Sequence, residues 1–568
     1  MFRPSSRVNA AAVLVLTVAA LLVASTGAKA YPYQNSQMTL QQQRRMELLR
    51  SGARPSYQWR KLGKVRHLIT YPTQIKHVVI IDMENRTVDN LFSAYYNLRF
   101  DQNHKWYQVM NLWNPANTTP QVISNSLGAK FDPIHHHSNF LEEVQGGPGG
   151  TICFDHTCET FSCPNALCVY PPNGPVTGYS FVPATETSEY AHFIETYASA
   201  DEMLQSNQGP SMPSHQYLIS GQSGGFDAAV APFAIADNPG ITDQSGNDAG
   251  QYPEEGPDIT YCSNQNDVLA GSLDMTQHFP ESVDTFSSPV SPCESYGKGT
   301  ILDEVYANDG IPADEDWQYI AAMPGGYWSA PTAVTNLYNQ WYQHRTDPTT
   351  SFAVDPNAYN FVQNITTGSG NPTRPFAALT YITPCNNESD HADVSGHDIY
   401  GPEWLGTVVN AIGNSQYWNS TVIIVTWDDW GGWFDHMNWV ESMYNPYTDF
   451  MNAKPNPKDP NEWGLRVPVM VISPYSPSPG YVSHGPAGGT LANPVPRSQS
   501  AILNLTEYLL GVGTLSADDL ANQHYYQGQY VIDDMAEMLN FNQSAQQFSP
   551  ATIPSSYHLP NTCRVPGS

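Results

Sequence analysis

The chain has 568 residues, with 53 acidic residues against 24 Lys and Arg, which gives a formal net charge of −29. A hydrophobic share of 40% is enough for a large core and excludes a globally disordered chain. The negative charge argues against a nucleic-acid partner and against a basic patch for anionic lipid, because both surfaces would be repelled. These features are typical of a soluble, secreted protein.

The first thirty residues have the pattern of a secretory signal peptide. Arg3 and Arg7 precede an apolar run over residues 10–23, and Ala28-Lys29-Ala30 is similar to a signal-peptidase site. The run is shorter than the roughly 20 residues that a transmembrane helix needs, and no later stretch is apolar enough to span a bilayer. We therefore expect residues 1–30 to be removed and residues 31–568 to form a single secreted or periplasmic domain.

Buried strands are predicted where β-branched residues form continuous runs. These runs cover residues 77–82, 377–382, 421–426 and 467–473, with a shorter candidate at 216–220. Helical patterns lie between them, for instance over residues 188–205, 402–412 and 500–511. This alternation predicts an α/β fold with a mostly parallel, doubly wound sheet and helices on both faces. Ligands bind such sheets at the carboxyl ends of the strands.

Residues 226–300 interrupt the alternation and are rich in Asp, Asn, Gly, Ser and Pro, which predicts an inserted cap over the sheet. The eight cysteines are Cys153, Cys158, Cys163, Cys168, Cys262, Cys293, Cys385 and Cys563. In an oxidising compartment disulfides are favoured over a zinc site, whose cysteines are usually closer together in sequence. Their pairing stays open.

Polar side chains follow two of the predicted strands. Glu84 and Asn85 come after the first strand, and Asp428 and Asp429 come after the strand that ends at Thr426. Carboxylate and amide oxygens are suitable ligands for a divalent cation, and the following Gly-Gly pair would let both aspartates turn inward. The alternatives are aspartates that cap a turn and an asparagine on a surface loop. Because both pairs follow buried strands, we favour a metal site.

A candidate nucleophile, Ser211, lies in a segment rich in Gly and Pro (residues 208–215, QGPSMPSH). A nearby cation would lower the pKa of its hydroxyl, so that no triad base is required. Ser223 competes, because residues 221–225 (GQSGG) are similar to a nucleophile elbow, but no helical pattern follows them.

Histidines cluster in the segments around these residues. The candidates are His135, His215, His391, His397, His436 and His484. Imidazoles beside a phosphate can donate hydrogen bonds to its oxygens or protonate a leaving group.

Short segments along the chain occur in the order of one known family. They are residues 84–92 (ENRTVDNLF), 132–135 (DPIH), 209–213 (GPSMP), 426–436 (TWDDWGGWFDH), 466–468 (RVP), 472–475 (ISPY) and 482–484 (VSH). Together they resemble the phosphoesterase family that contains bacterial phospholipases C and secreted acid phosphatases. The sequence departs from the family's pattern at Val88, where an aromatic residue is usual, and at Ser214, where Asn is usual.

The resemblance implies an alkaline-phosphatase-like fold and a divalent metal ion of unknown identity. It implies that the metal ligands are Glu84, Asn85, Ser211, Asp428 and Asp429. Ser211 would be the nucleophile that forms a phospho-enzyme intermediate. His135 and His391 would contact the phosphate or serve as acid, with His397 as the alternative to His391. We expect His436, His484 and His215 to lie beside the substrate or behind the ligands.

The leading hypothesis is a secreted, metal-dependent phosphoric ester hydrolase of the phospholipase C type, acting on a phospholipid or a small phosphoester. The alternative within the family is an acid phosphatase that cleaves monoesters. A secreted glycoside hydrolase is less favoured, because its two carboxyl groups should lie about 5 to 9.5 Å apart on separate elements across a cleft. A non-catalytic binding protein is also less favoured, because Ser211 and Asp428 are both present.

Overall fold

An eight-stranded sheet forms the centre of the fold and carries the polar strand ends noted in the sequence. The computed structural model describes residues 73–92, 180–206, 211–221, 300–306, 316–321, 352–370, 374–392, 398–433, 464–485, 497–512 and 535–563, with short pieces between them. All of these lie in one compact unit, Ala53–Ser568.

The order of the strands in the central sheet differs from their order along the chain. In chain order they are β1 (His77–Met83), β2 (Ala198–Ala200), β3 (Trp317–Ala321), β4 (Phe352–Val354), β5 (Leu379–Thr383), β6 (Thr421–Trp427), β7 (Val469–Ile472) and β8 (Tyr481–Ser483). Their spatial order is β8-β2-β7-β6-β1-β5-β3-β4. Strand β7 is antiparallel to both neighbours, and every other pairing of the sheet is parallel. The predicted mostly parallel α/β sheet is therefore confirmed.

The central strands lie close to where the sequence predicts them. Both of their faces are buried, and this burial explains the continuous apolar runs on which the prediction rests. Every residue of β5 and β6 is buried, and only the first residue of β1 is partly exposed. Continuous runs of Val, Ile and Thr are typical of strands that have helices on both faces.

Smaller elements complete the description. Pairs of two-residue strands join Ile123–Ser124 to Ser180–Phe181, Met203–Leu204 to Arg497–Ser498, Ala270–Gly271 to Pro289–Val290, and Tyr525–Tyr526 to Gln529–Tyr530. The α-helices with both ends in the described residues are α1 (Ser188–Thr196), α2 (Ser211–Ser220), α3 (Ile301–Tyr306), α4 (Tyr359–Thr367), α5 (Gly401–Gly413) and α6 (Ser500–Leu510). Short 3-10 helices cover Ala330–Ala333, Pro356–Ala358, Asn386–Glu388, Trp418–Ser420 and Ala536–Met538.

Helices cover both faces of the sheet, as the alternation of side chains along the strands shows. Tyr381 of β5 donates a hydrogen bond from its hydroxyl to the carbonyl of Leu218 in α2, 2.7 Å away. In the strand register Tyr381 shares its face with Ile424 of β6. Trp427, three residues after Ile424, lies on the opposite face and contacts Tyr190 of α1, with ring centroids 5.3 Å apart.

Two predicted elements are wrong. Residues 216–220, predicted as a short strand, are the second half of α2. Periodicity cannot separate a buried helix from a strand in so short an apolar run, and Pro213 suits the first turn of a helix. The helix predicted over residues 188–205 ends at Thr196, because the backbone becomes extended at Tyr197 (φ −118°, ψ −146°) and leads into β2.

A disulfide joins Cys385, just after β5, to Cys563 near the end of the chain. The prediction of a disulfide is confirmed for this pair, and the other six cysteines lie outside the described residues. Asn357 supports the same junction with two hydrogen bonds. Its Oδ1 accepts from the N–H of Cys385 at 3.1 Å, and its Nδ2 donates to the carbonyl of Thr562 at 3.3 Å.

Several predictions fall outside the described residues. These are the signal peptide at 1–30, the competing Ser223, His397, His436 and nearly all of the insertion at 226–300. Within the part of the chain that the structure describes, each helix is too short or too polar to cross a membrane.

Candidate active site

The carboxyl ends of β1 and β6 form one edge of the site because the two strands are parallel neighbours. Glu84 and Asn85 follow β1, and Asp428 and Asp429 follow β6. The N–H of Asp428 donates to the carbonyl of Met83 at 2.9 Å, which continues the ladder past the strand ends. The N–H of Asn85 donates to Oδ1 of Asp428 at 2.9 Å. The sheet register therefore brings together the four residues that the sequence places at the strand ends.

The two loops after these strands approach each other so closely that a glycine is required between them. Gly431 has φ +60°, and a Cβ there would lie 2.5 Å from the carbonyl oxygen of Asn85. Asn85 itself has φ +59°, a conformation that asparagine tolerates better than most residues. The N–H of Gly431 donates to Oδ1 of Asp429 at 2.7 Å, which fixes the orientation of that carboxylate.

Ser211 is the first residue of α2, and its buried hydroxyl faces the strand ends. Its Oγ donates to Oδ2 of Asp429 at 3.0 Å, and Oδ1 of Asn85 lies 3.4 Å from the same oxygen. The amino end of a helix carries partial positive charge and unpaired N–H groups, which favour an anion such as a phosphate. The geometry gives Ser211 both a proton acceptor and a setting that stabilises negative charge.

His215 lies one helical turn after Ser211 and therefore on the same face of α2. Its Nδ1 is 2.6 Å from Oδ2 of Asp82, and its Nε2 is 2.9 Å from Oε1 of Glu84 and 3.7 Å from Oδ2 of Asp428. Burial alone would lower the pKa of His215, but the charges of Asp82 and Glu84 raise it well above its ordinary value. His215 thus lies among the acidic side chains rather than on a substrate surface.

The acidic side chains around His215 carry more negative charge than the described residues near them can neutralise. Oε2 of Glu84 and Oδ2 of Asp428 are buried and have no hydrogen-bond partner among the described residues. Burial, and then the charge of Asp428, raise the pKa of Glu84 well above its usual range, and burial raises the pKa of Asp82 to about 6. Buried charges need a partner of opposite sign. The residues present therefore fit a divalent cation.

One set of ligand atoms is already close enough for a single ion. Glu84, His215 and Asp428 each offer one atom, and these atoms lie within 4.8 Å of one another. The carboxyl groups of Glu84 and Asp428 thus lie in one buried cluster. In a glycosidase the two carboxyl groups face each other across a cleft instead.

His135 lies beside Asn85 and is held as a neutral ring. Its Nδ1 is 2.7 Å from the carbonyl of Pro133, so this nitrogen donates a proton. Its Nε2 is 3.2 Å from Nδ2 of Asn85 and accepts a hydrogen bond. His391 lies next to it, with ring centroids 6.2 Å apart, and is partly exposed beside Trp328. Both predicted histidines therefore lie at the site, and His135 orients Asn85.

The remaining predicted histidine that the structure describes, His484, lies at the same edge of the sheet but in a separate pair. It follows β8, and its Nδ1 is 2.6 Å from Oδ2 of Asp201, which follows β2. Burial alone would lower the pKa of His484, whereas the hydrogen bond and charge of Asp201 raise it overall. His484 thus contacts Asp201, which follows the neighbouring strand β2.

A buried ion pair joins the segment after β1 to the segment before β7. The guanidinium of Arg466 contacts Asp435 through Nε, 2.9 Å from Oδ2, and contacts Asp89 through Nη2 at 3.1 Å. Arg86 is also buried and lies over the ring of Trp433, 4.9 Å from its centroid. These contacts join the first motif of the sequence to the segment that follows the second carboxylate pair.

A comparison with protein families decides the classification. A model of the Phosphoesterase family matches residues 75–513. The chain belongs to the Phosphoesterase family. The matched region includes the strand ends, the serine at the start of α2 and every histidine discussed above.

Individual members of the Phosphoesterase family match shorter stretches of the chain. Non-specific phospholipase C4 of Arabidopsis thaliana is 36% identical over 118 residues, which are 21% of this chain and 20% of that protein. Non-specific phospholipase C5 of the same plant is 30% identical over 134 residues, which are 22% of this chain and 25% of that protein. The aligned segments thus span a quarter or less of these two relatives.

Solved structures give a more distant comparison. The crystal structure of Ps i-CgsB in complex with k-i-k-neocarrahexaose has a TM-score of 0.30 and 10% identity, covering 63% of this chain and 72% of that chain. A likeness at this level carries no argument about fold or function.

Asp82 is the site residue that the sequence reasoning missed. It lies inside β1, in an otherwise apolar run, which by itself predicts only a buried strand. Two signals were present. Asp82 and Glu84 are two residues apart, which places both side chains on one face of an extended chain, and Ser211 and His215 are four apart, which suits one face of a helix.

Proposed function

We propose that the protein is a secreted, metal-dependent phosphoric ester hydrolase of the phospholipase C type, with an alkaline-phosphatase-like fold and Ser211 as its nucleophile. The observation that supports this proposal most strongly is the position of the Ser211 hydroxyl. This hydroxyl lies at the amino end of a helix, hydrogen-bonded to Asp429, beside a buried acidic cluster in which two oxygens have no hydrogen-bond partner among the residues that the structure describes. Membership of the Phosphoesterase family fits the same chemistry.

The cation would be held by residues that converge at the strand ends. Glu84, Asn85, Asp428 and Asp429 supply oxygen atoms from the two loops, and Ser211 approaches from α2. When bound, the ion supplies positive charge that favours the serine alkoxide and neutralises phosphate oxygens.

The protein's own residues account for the first half of the reaction. The Ser211 hydroxyl proton passes to Oδ2 of Asp429 as Oγ attacks phosphorus, and the P–O bond to the alcohol breaks. The amino end of α2 stabilises the negative charge that develops on the phosphoryl oxygens. His391 is the candidate that gives a proton to the leaving alcohol, since it is partly exposed beside the site. His391 then takes a proton from the water that attacks the phosphoserine, the bond between phosphorus and Oγ breaks, and Asp429 returns its proton to Oγ of Ser211 as the phosphate product leaves.

His135 has a positioning role in this scheme. Its protonated Nδ1 donates to the carbonyl of Pro133, which leaves Nε2 to accept from the Asn85 amide. This arrangement turns Oδ1 of Asn85 toward Ser211, 3.4 Å away.

The proposed substrate is a phosphodiester of a phospholipid, in line with the names of the relatives, which are non-specific phospholipases C. Hydrolysis of small phosphomonoesters, as by an acid phosphatase, is the alternative. We further propose that residues 1–30 direct the chain out of the cytoplasm, as the signal-peptide pattern indicates.

The test compares hydrolysis of p-nitrophenyl phosphorylcholine with that of p-nitrophenyl phosphate, before and after chelator treatment. We expect chelator-sensitive cleavage of the diester and a loss of at least about a thousand-fold in kcat for Ser211→Ala. Ser214→Ala is the matched control, because Ser214 is a second buried serine on α2 and hydrogen-bonds to Gln205 instead. Cleavage of the monoester alone would assign an acid phosphatase. Full activity of Ser211→Ala would overturn the assignment of the nucleophile.

A further inference from the structure

His215 is enclosed by carboxylates on both sides of its ring. On one side Nδ1 lies 2.6 Å from Oδ2 of Asp82, and on the other Nε2 lies 2.9 Å from Oε1 of Glu84 and 3.7 Å from Oδ2 of Asp428. All of these side chains are at most 4% exposed. A histidine that lies this deep has a defined orientation, and both of its nitrogens face acidic groups.

Both ring nitrogens contact carboxylates, and an ionised carboxylate only accepts hydrogen bonds, so without a cation each nitrogen carries a proton. The two sides of the ring differ in what they face. Nδ1 faces Asp82, whereas Nε2 faces Glu84 and Asp428 together. A cation held by those two carboxylates would displace the Nε2 proton and use the lone pair of that nitrogen, while Nδ1 keeps its proton toward Asp82.

The same side of the ring has the features of a ligand set. Oε2 of Glu84 and Oδ2 of Asp428 are buried without a hydrogen-bond partner among the described residues. Ligand atoms of Glu84, His215 and Asp428 lie within 4.8 Å of one another. A carboxylate that holds one nitrogen of a histidine while the other nitrogen binds a metal is a recurrent arrangement that fixes the ring and increases its basicity.

We propose that His215 is a nitrogen ligand of the cation through Nε2, and that Asp82 is the positioning residue that fixes its tautomer. The proposal rests on the metal dependence in the proposed function and adds to it the nature of the ion. A set of oxygen ligands alone suits Ca²⁺ or Mg²⁺, whereas an imidazole among carboxylates favours a transition ion such as Mn²⁺, Fe²⁺, Co²⁺ or Zn²⁺.

The positions of the residues along the chain support this division of roles. Asp82 and Glu84 lie two residues apart at the end of β1 and so face the same side of the sheet. That side is the one covered by α2, as the hydrogen bond from Tyr381 to Leu218 shows. His215 can therefore contact the positioning carboxylate and the ligand carboxylate at once.

The experiment uses Co²⁺ as the probe, with the chelator-treated mature protein. In the Co²⁺-loaded wild type we expect a strongly shifted, exchangeable proton resonance in the NMR spectrum, from the Nδ1–H of a ligated histidine. His215→Gln should abolish this resonance. Asp82→Asn should weaken Co²⁺ binding by about 10- to 100-fold in calorimetric titrations, as removal of such partners does elsewhere. Ca²⁺ binding should change much less, so that the preference for Co²⁺ falls.

Thr380→Val is the matched control. Thr380 is buried in β5 and is paired with Val79, on the face of the sheet that is opposite to Asp82. This variant should bind Co²⁺ as the wild type does. The spectrum of the wild type tests the proposal without any variant, and circular dichroism establishes that each variant is folded.

The outcomes separate this proposal from the proposed function. If the wild type binds Co²⁺ and is chelator-sensitive, but shows no shifted exchangeable proton and His215→Gln binds equally well, His215 is only a buried counter-charge and this inference fails alone. If the wild type binds no cation and hydrolysis resists the chelator, the metal dependence fails and this inference fails with it.

Discussion

The close approach of the two loops at the strand ends gives the sharpest structural prediction, which concerns Gly431→Ala. A Cβ at this position would lie 2.5 Å from the carbonyl oxygen of Asn85 and 2.6 Å from its Cβ. Both atoms belong to the backbone or to its first side-chain carbon, so they cannot move aside without moving the loop. The variant should therefore separate the loop that carries Asp429 from the loop that carries Asn85.

The magnitude has two parts. Alanine in the left-handed region at φ +60° costs about 1–2 kcal/mol relative to glycine. The steric conflict adds about 1–3 kcal/mol, as overpacking in rigid surroundings does. We expect Gly431→Ala to lose about 2–5 kcal/mol of unfolding free energy in urea titrations. Because Ser211 is hydrogen-bonded to Asp429, kcat should fall at least about 100-fold.

Gly368→Ala is the matched control. Gly368 ends α4 with φ +67°, and a Cβ there meets no atom within 4 Å. This variant should cost only the conformational part, about 1–2 kcal/mol, with activity unchanged. If Gly431→Ala were no more destabilising than Gly368→Ala and kept wild-type kcat, the contact between the two loops would not hold the site together.

Three further variants test the surroundings of the site. Burial raises the pKa of Asp390 from its ordinary 3.8 to about 6; the folded state then keeps a proton that the unfolded chain has lost, so stability falls as the pH rises through this window. Asp390→Asn should remove this pH-dependent loss of unfolding free energy, about 3 kcal/mol, which urea titrations at several pH values between the two pKa values would measure. An unchanged pH dependence of stability in this variant would contradict the prediction. Cys563→Ser opens the disulfide to Cys385 and should cost about 2–4 kcal/mol in the same assay, which an unchanged urea midpoint would refute. Arg466→Leu leaves buried Asp435 without its cation and should cost about 3–5 kcal/mol, and a loss below about 1 kcal/mol would argue against the ion pair.

The sheet and its polar edge could be predicted because short, continuous segments of the sequence indicate each strand and the residues that follow it. The continuous apolar runs of β1, β5 and β6 indicate buried strands, and parallel strands place their carboxyl ends together. It follows that residues after neighbouring strands must meet. Glu84 and Asp428 were therefore accessible to reasoning from the sequence.

The helix that carries Ser211 was harder to predict. Residues 216–220 are too few to distinguish a strand from a buried helix, so the sequence predicts a turn followed by a strand where the structure has α2. A predicted strand does not place Ser211 and His215 on the same face, as the helix does. The sequence therefore did not indicate a contact between His215 and Asp82, the acidic residue inside β1.

Pairings between distant segments could not be predicted at all. His484 contacts Asp201 because β8 and β2 are neighbours at the far edge of the sheet. Arg466 contacts Asp89 across 377 positions of sequence. Such contacts depend on the order of the strands, which hydrophobic patterns do not encode.

The central claim is that Ser211 takes the phosphoryl group during turnover. The most direct measurement is acid quenching of the protein while it hydrolyses p-nitrophenyl phosphorylcholine, followed by mass spectrometry of its peptides. We predict one added phosphorylcholine group on Ser211 in the wild type and in Ser214→Ala, and none in Ser211→Ala. An unlabelled Ser211 during steady turnover, together with an active Ser211→Ala variant, would contradict the account.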